Sequence, residues 1–122
     1  MSLTVQTEQR GDKVVVSVAG ELDMATAPQL QDQISDLLEK GRNRLVFDLA
    51  EVSFCDSTGL SVFVRAKNST DDAGGVVRLA APQRGVLRIL EVSGLVEVLQ
   101  TYQTVDEAVS APEQATQPDP AS

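Results

Sequence analysis

The chain has no histidine, a single cysteine and no long apolar run, and each absence removes a class of function. Without histidine there is no Ser-His-Asp or Cys-His nucleophile system. With Cys55 alone there is no intrachain disulfide and no cysteine-cluster metal site. Cys55 sits in an apolar stretch with no Lys, Arg or His beside it, so it reads as a small core residue and not as a reactive thiol. No segment approaches the roughly 20 consecutive apolar residues that cross a bilayer. Met1 to Gln6 carries neither a basic region nor an apolar signal core, from which a cytoplasmic, membrane-free protein is expected. Basic residues are also few, 10 against 18 acidic, for a net charge of −8. They are scattered, the densest group being Lys40, Arg42 and Arg44, so the clustered cations that neutralise a nucleic-acid backbone are missing. No Gly-x-x-x-x-Gly-Lys-Ser/Thr loop, Gly-x-Gly-x-x-Gly turn or Gly-x-Ser-x-Gly elbow occurs. Neither a cofactor nor a metal is expected.

What the chain does have is a globular balance, 42% hydrophobic and 23% charged over 122 residues, enough for one domain with one core. Leu3, Val5 and Thr7 alternate with polar residues, and Lys13 to Ala19 is rich in valine. With Arg10-Gly11-Asp12 between them, this predicts an antiparallel hairpin that Gly20-Glu21-Leu22-Asp23 breaks. Thr26-Ala27-Pro28-Gln29 fits a capping box, opening a helix with Leu30, Ile34, Leu37 and Leu38 inward and Asp32, Asp36 and Glu39 outward. Lys40-Gly41 ends it. Leu45 to Leu49 has the composition of a central strand covered on both faces. A second helix, with Leu60, Phe63, Val64 and Lys67 on its spacing, runs to Asn68, and Asp71 to Gly75 is a turn. Val76 to Ala80 is a buried strand, and Pro82 opens a third helix that stops near Ser93-Gly94. Leu95 to Leu99 reads as the last strand, and Thr104 caps a short fourth helix with Val105, Ala108 and Val109 inward. From Ala111 the composition turns to Pro, Gln, Ala and Ser, so residues 1–109 are expected to form the domain and residues 110–122 a disordered tail.

This order predicts an α/β fold: a mixed sheet with an N-terminal antiparallel hairpin and mostly parallel strands after it, flanked by about four helices on one face. Its most informative segment is Cys55-Asp56-Ser57-Thr58-Gly59-Leu60, where a strand delivers a polar turn to the start of a helix. Unpaired N–H groups there accommodate an anion, so a phosphate on a serine at that position is tolerated. With no base to activate it, such a serine reads as a substrate. On spacing alone two readings stand. Asp56 or Ser57 is an ordinary N-cap with Gly59 allowing close packing, or the turn is a functional site.

Three strings in order bear on the choice. Gly20-Glu21-Leu22-Asp23, then Asp56-Ser57-Thr58-Gly59-Leu60, then Val92-Ser93-Gly94-Leu95 resemble the signatures of bacterial anti-sigma factor antagonists of the STAS domain family, over about residues 3 to 109. The resemblance implies a serine phosphorylated by an anti-sigma factor that is also an ATP-dependent kinase. Ser57 matches the phosphoacceptor; Asp56, Thr58 and Gly59 complete its turn, and Asp23 falls in a neighbouring loop of the partner-binding face. The implied partner is that kinase, released when Ser57 carries phosphate, and a serine phosphatase is a further partner the resemblance allows. A STAS-type subunit or sensor of a transport or signalling assembly is the alternative. An enzyme using Asp23 and Asp56 as an acid–base pair is disfavoured for want of a substrate-pocket motif. The short last helix and Pro-rich tail depart from the family pattern, away from the serine.

Overall fold

In the computed structural model, which describes residues 2–112, strands Leu3–Arg10 (β1) and Lys13–Leu22 (β2) pair antiparallel through a tight turn at Gly11-Asp12. Arg44–Cys55 (β3), Val76–Ala80 (β4) and Gln100–Tyr102 (β5) follow in parallel, so the sheet order equals the chain order. Helices Ala27–Glu39 (α1), Ser57–Asp72 (α2) and Arg84–Val92 (α3) fill the connections, and Val105–Ser110 (α4) follows β5. The expected mixed α/β sheet with four helices is present.

Alternation along the strands divides the core in two. Val14, Val16 and Val18 of β2, Leu45, Phe47 and Leu49 of β3, and Val77 and Leu79 of β4 face α1, α2 and α3. There Leu30, Ile34, Phe63, Ala66, Val86 and Leu90 meet them, with Phe63 edge-on to Phe47 at 5.1 Å between ring centroids. The intervening residues Val15, Val46 and Ala80 lie on the other face under Ala108, Val105 and Val109 of α4. The expectation of helices on one face therefore holds for three; the fourth covers the reverse.

Several boundaries differ from the sequence reading, each for a tertiary reason. Gly20-Glu21-Leu22 does not break β2. The strand continues beside β3 with two register shifts, and Leu22 pairs with Cys55. Gly20 makes this possible at φ +115°, where a side chain would run into the Ser2 carbonyl. β3 runs on past Leu49 to Cys55 because its second half still pairs with β2. α2 extends beyond Asn68 through Asp72, with Val62, Ala66 and Thr70 on its buried side. The apolar run Leu95 to Leu99 is not a strand. Leu95–Glu97 forms a single 3₁₀ turn after Gly94, Leu99 is fully buried, and β5 starts at Gln100. A short apolar run has no period to tell a packed turn from a strand.

The capping box at α1 is also absent. Gln29 donates to the Leu3 carbonyl instead (2.9 Å), and the Thr26 hydroxyl donates to the Glu21 carbonyl (2.7 Å). Thr104 does cap α4, accepting from the Glu107 N–H at 3.1 Å. Past α4 the carbonyls of Ala111 and Pro112 are each held at 2.8 Å by Arg78, and the rest of the expected tail, 113–122, lies outside the described residues. Among the described residues no helix is long and apolar enough to cross a membrane.

Candidate functional site

The carboxyl ends of β2 and β3 lie side by side, since Leu22 pairs with Cys55 and the Asp56 N–H donates to the Leu22 carbonyl at 3.1 Å. The next residues of the two strands, Asp23 and Asp56, therefore share one edge of the sheet. This is the edge at which open parallel sheets present their ligand-facing loops.

Asp56 is the N-cap of α2. Its backbone is extended (φ −100°, ψ −174°), and its Oδ1 accepts the Gly59 N–H at 2.9 Å while its carbonyl takes the Leu60 N–H at 3.0 Å. Asp23 does the equivalent work before α1. Its Oδ1 accepts the N–H groups of Ala25 (2.9 Å) and Thr26 (3.0 Å), and its carbonyl accepts that of Ala27 (2.7 Å). Both carboxylates are thus occupied in shaping loops, each accepting from backbone N–H at the entry to the helix that follows it. They leave two negative charges on the same edge.

Ser57 is the first residue of α2 and is exposed, and among the described residues no hydrogen bond engages its hydroxyl. Its neighbours differ. Thr58 is half-buried, and Ser53 lies back on β3 with its hydroxyl directed to the Gly20 carbonyl at 3.4 Å. Gly59 is buried where α2 crosses β2. An added Cβ would stand 2.7 Å from Leu22 Cγ, 2.8 Å from the Leu22 carbonyl oxygen and 3.0 Å from Cys55 Sγ. Only a glycine lets the helix start this close to the strand, and that closeness fixes where the Ser57 hydroxyl points out. The five residues singled out from the sequence, Asp23, Asp56, Ser57, Thr58 and Gly59, fall on this one edge.

Cys55, immediately behind the turn, is 1% exposed. Burial pushes its thiol up to about 12 from an ordinary 9.0, with the Asp56 charge adding to the shift. A thiol reagent at pH 8 should label it only once denaturant unfolds the chain; labelling of the native protein at the rate of a free cysteine would contradict this burial. Because the unfolded thiol ionises first, stability should also decline as pH climbs from 9 toward 12.

Beside Ser57, between α1 and α2, runs a groove of about 280 Å³ that the sequence did not disclose. Its lining includes Met24, Gln31 and Asp32 on one side and Thr58, Val62 and Arg65 on the other. One signal was available. Ser57, Ser61 and Arg65 recur every four residues and so share a face of α2. Among the described residues no cluster of carboxylates and thiols is suited to hold a metal.

Comparison with known proteins agrees with this architecture. The model of the STAS domain matches residues 4–108. The chain is 32% identical over 99 residues to an anti-sigma-B factor antagonist of Bacillus subtilis (strain 168), covering 81% of this chain and 90% of that protein. It is 33% identical over 101 residues to the anti-sigma-B factor antagonist of Listeria monocytogenes (serovar 1/2a, strain ATCC BAA-679 / EGD-e), covering 82% and 89%. Among solved structures, an anti-sigma factor antagonist from Mycobacterium paratuberculosis superposes with a TM-score of 0.83 at 32% identity, over 90% of this chain and 93% of that one. With the family match spanning all five strands and the relatives covered nearly end to end, the chain belongs to the STAS domain family.

Proposed function

We propose that this protein is an anti-sigma factor antagonist that works by partner switching at Ser57. Unphosphorylated, it binds an anti-sigma factor that is also a serine kinase and so sets a sigma factor free in the cytoplasm. Phosphorylated on Ser57, it lets go, and a serine phosphatase resets it. The observation that carries the reading is the Ser57 hydroxyl itself, exposed and unbonded at the first position of α2, in a chain whose relatives bear that name.

The chemistry asks little of this chain. A kinase brings ATP and the base. The Ser57 Oγ–P bond forms as the bond to the ADP leaving group breaks, and the hydroxyl proton passes to the kinase. What this protein supplies is a hydroxyl held at a fixed place and a helix start that tolerates the product. The Gly59 N–H is already taken by Asp56 and that of Leu60 by the Asp56 carbonyl, so the Ser57 and Thr58 N–H groups are the helix donors nearest the new phosphate. The protein is the substrate of the reaction and not its catalyst.

The test is to incubate the chain with ATP and the anti-sigma factor retained by immobilised Ser57→Ala protein, then map the phosphate by mass spectrometry. Phosphate is expected on Ser57 and absent from Ser57→Ala. Label on Thr58 or Ser53, or labelling with ATP alone, would overturn the assignment.

A further inference from the structure

We infer that the α1–α2 groove seats one apolar side chain of the anti-sigma factor, flanked by a hydrogen-bond donor for Gln31, an acidic group for Arg65 and a basic group for Asp32. This rests on the reading of Ser57 as a partner-facing switch, and it adds what holds the partner there.

Four observations converge on the groove. Met24 is 73% exposed at its mouth although it directly follows the core residue Leu22 and the cap Asp23. An exposed, adaptable thioether of this kind is suited to a contact surface. Ala27, Pro28 and Val62 make the walls apolar. Gln31 has its Oε1 buried with no hydrogen-bond partner, while its Nε2 holds only a long 3.4 Å contact to the Ser35 hydroxyl. A buried acceptor without a donor is unfavourable, and this loosely held amide lines the groove, where an arriving donor would satisfy it. Finally, Asp32 on α1 and Arg65 on α2 line opposite sides, and among the described residues neither is in an ion pair. The lysines nearest in kind behave otherwise: Lys40 and Lys67 each hold an aspartate on their own helix. A partner segment presenting the opposite polarity across the groove is the charge-complementary occupant.

Size suits a single side chain. About 280 Å³ accommodates one large side chain and lies at the small end of ligand pockets. Location ties the groove to the switch. Thr58 lines it, and Ser57, Ser61 and Arg65 descend the same face of α2, so a phosphate at its upper end meets the same bound segment.

The experiment is titration calorimetry of the purified anti-sigma factor against four variants, with melting curves for each. Met24→Asp should weaken the complex about thirtyfold and Met24→Ser about fivefold, as expected where an apolar wall covers a seated anchor. Gln31→Leu should cost about fivefold, and Arg65→Glu about tenfold with a reduced dependence on salt. All four should melt within a few degrees of wild type, because Met24 and Arg65 are exposed and Gln31 is half-buried. If the four bind like wild type while Ser57→Asp does not, the groove inference is overturned and the switch stands. If Met24→Asp and Met24→Ser both fail to bind while phosphorylation of Ser57 changes nothing, the groove stands and the switch falls.

Discussion

Aspartate in place of Ser57 should weaken the complex with the anti-sigma factor about hundredfold, or about 2.8 kcal/mol, while leaving the melting temperature near that of wild type. The two halves of this expectation come from the same geometry. At the first position of α2 a negative charge faces unpaired N–H groups, an arrangement worth about 0.3–1 kcal/mol to the fold. At an interface the same charge brings bulk, a desolvation penalty and repulsion from any partner carboxylate. The edge is already negative through Asp56 and Asp23, on a chain of net charge −8, so further anionic charge adds to an existing field. Ser57→Ala removes the acceptor and nothing else, since no described hydrogen bond engages the hydroxyl; it should bind like wild type and resist switching. The phosphoprotein, carrying about −1.5 to −2 charges at pH 7 against one for aspartate, should lose more affinity than the mimic. Calorimetry with the purified phosphoprotein settles the matter: undiminished affinity would sink the switch even if Ser57→Asp binds weakly.

The sequence disclosed what local chemistry controls. The β1–β2 hairpin, the buried β4 and the strand–turn–helix at Asp56-Ser57 are set by alternation, turn residues and a cap within a few positions of one another, and all three stand where they were expected. It misled where a distant group outbid a local one. Gln29 was free to reach back to the start of α1, but the Leu3 carbonyl on β1 takes its amide, and the Glu21 carbonyl takes the Thr26 hydroxyl. Asp23, which the family resemblance puts on the partner-binding face, is the group that turns the chain into α1. Leu95 to Leu99 read as a strand because its composition is apolar, yet only Leu99 is buried and Val98 faces solvent. The inward residues of α4 were legible, but not the side of the sheet they cover, because the spacing along a six-residue helix does not say which face it packs on. The residue that fastens it, Arg78, lies in a strand whose other members are apolar.

Arg78→Met should lower stability by about 3–5 kcal/mol, a fall in melting temperature of roughly 10–25 °C. Arg78 is fully buried, and a guanidinium cannot shed its charge to suit such a place. It is compensated by oxygens. Nε donates to Gln100 Oε1 at 3.0 Å, Nη1 to the carbonyls of Ala108 and Ala111 at 2.8 Å each, and Nη2 to that of Pro112 at 2.8 Å, with the Tyr102 ring 5.6 Å away. These carbonyls close the end of α4, where the helix dipole is negative and the last carbonyls have no partners within the helix. A six-residue helix does not persist by itself; it is held by the clamp, by Ala108, Val105 and Val109 packing on Val15, Val46 and Ala80, and by the exposed Arg10–Asp106 ion pair at 2.9 Å. Methionine fills the volume but leaves the carbonyls without donors, and each buried orphan costs about 1–3 kcal/mol. Lysine keeps the charge at a single point and cannot span three carbonyls and an amide, so Arg78→Lys should fall between the two. Truncation isolates the clamp from general packing loss. A chain ending at Pro112 keeps every bond that Arg78 makes, whereas one ending at Ser110 lacks two of its acceptors and should melt lower. In the Arg78→Met background that second truncation should add little, because the bonds it removes are already gone. Strictly additive losses in this double-mutant cycle would show that Arg78 and the chain end do not act as one clamp.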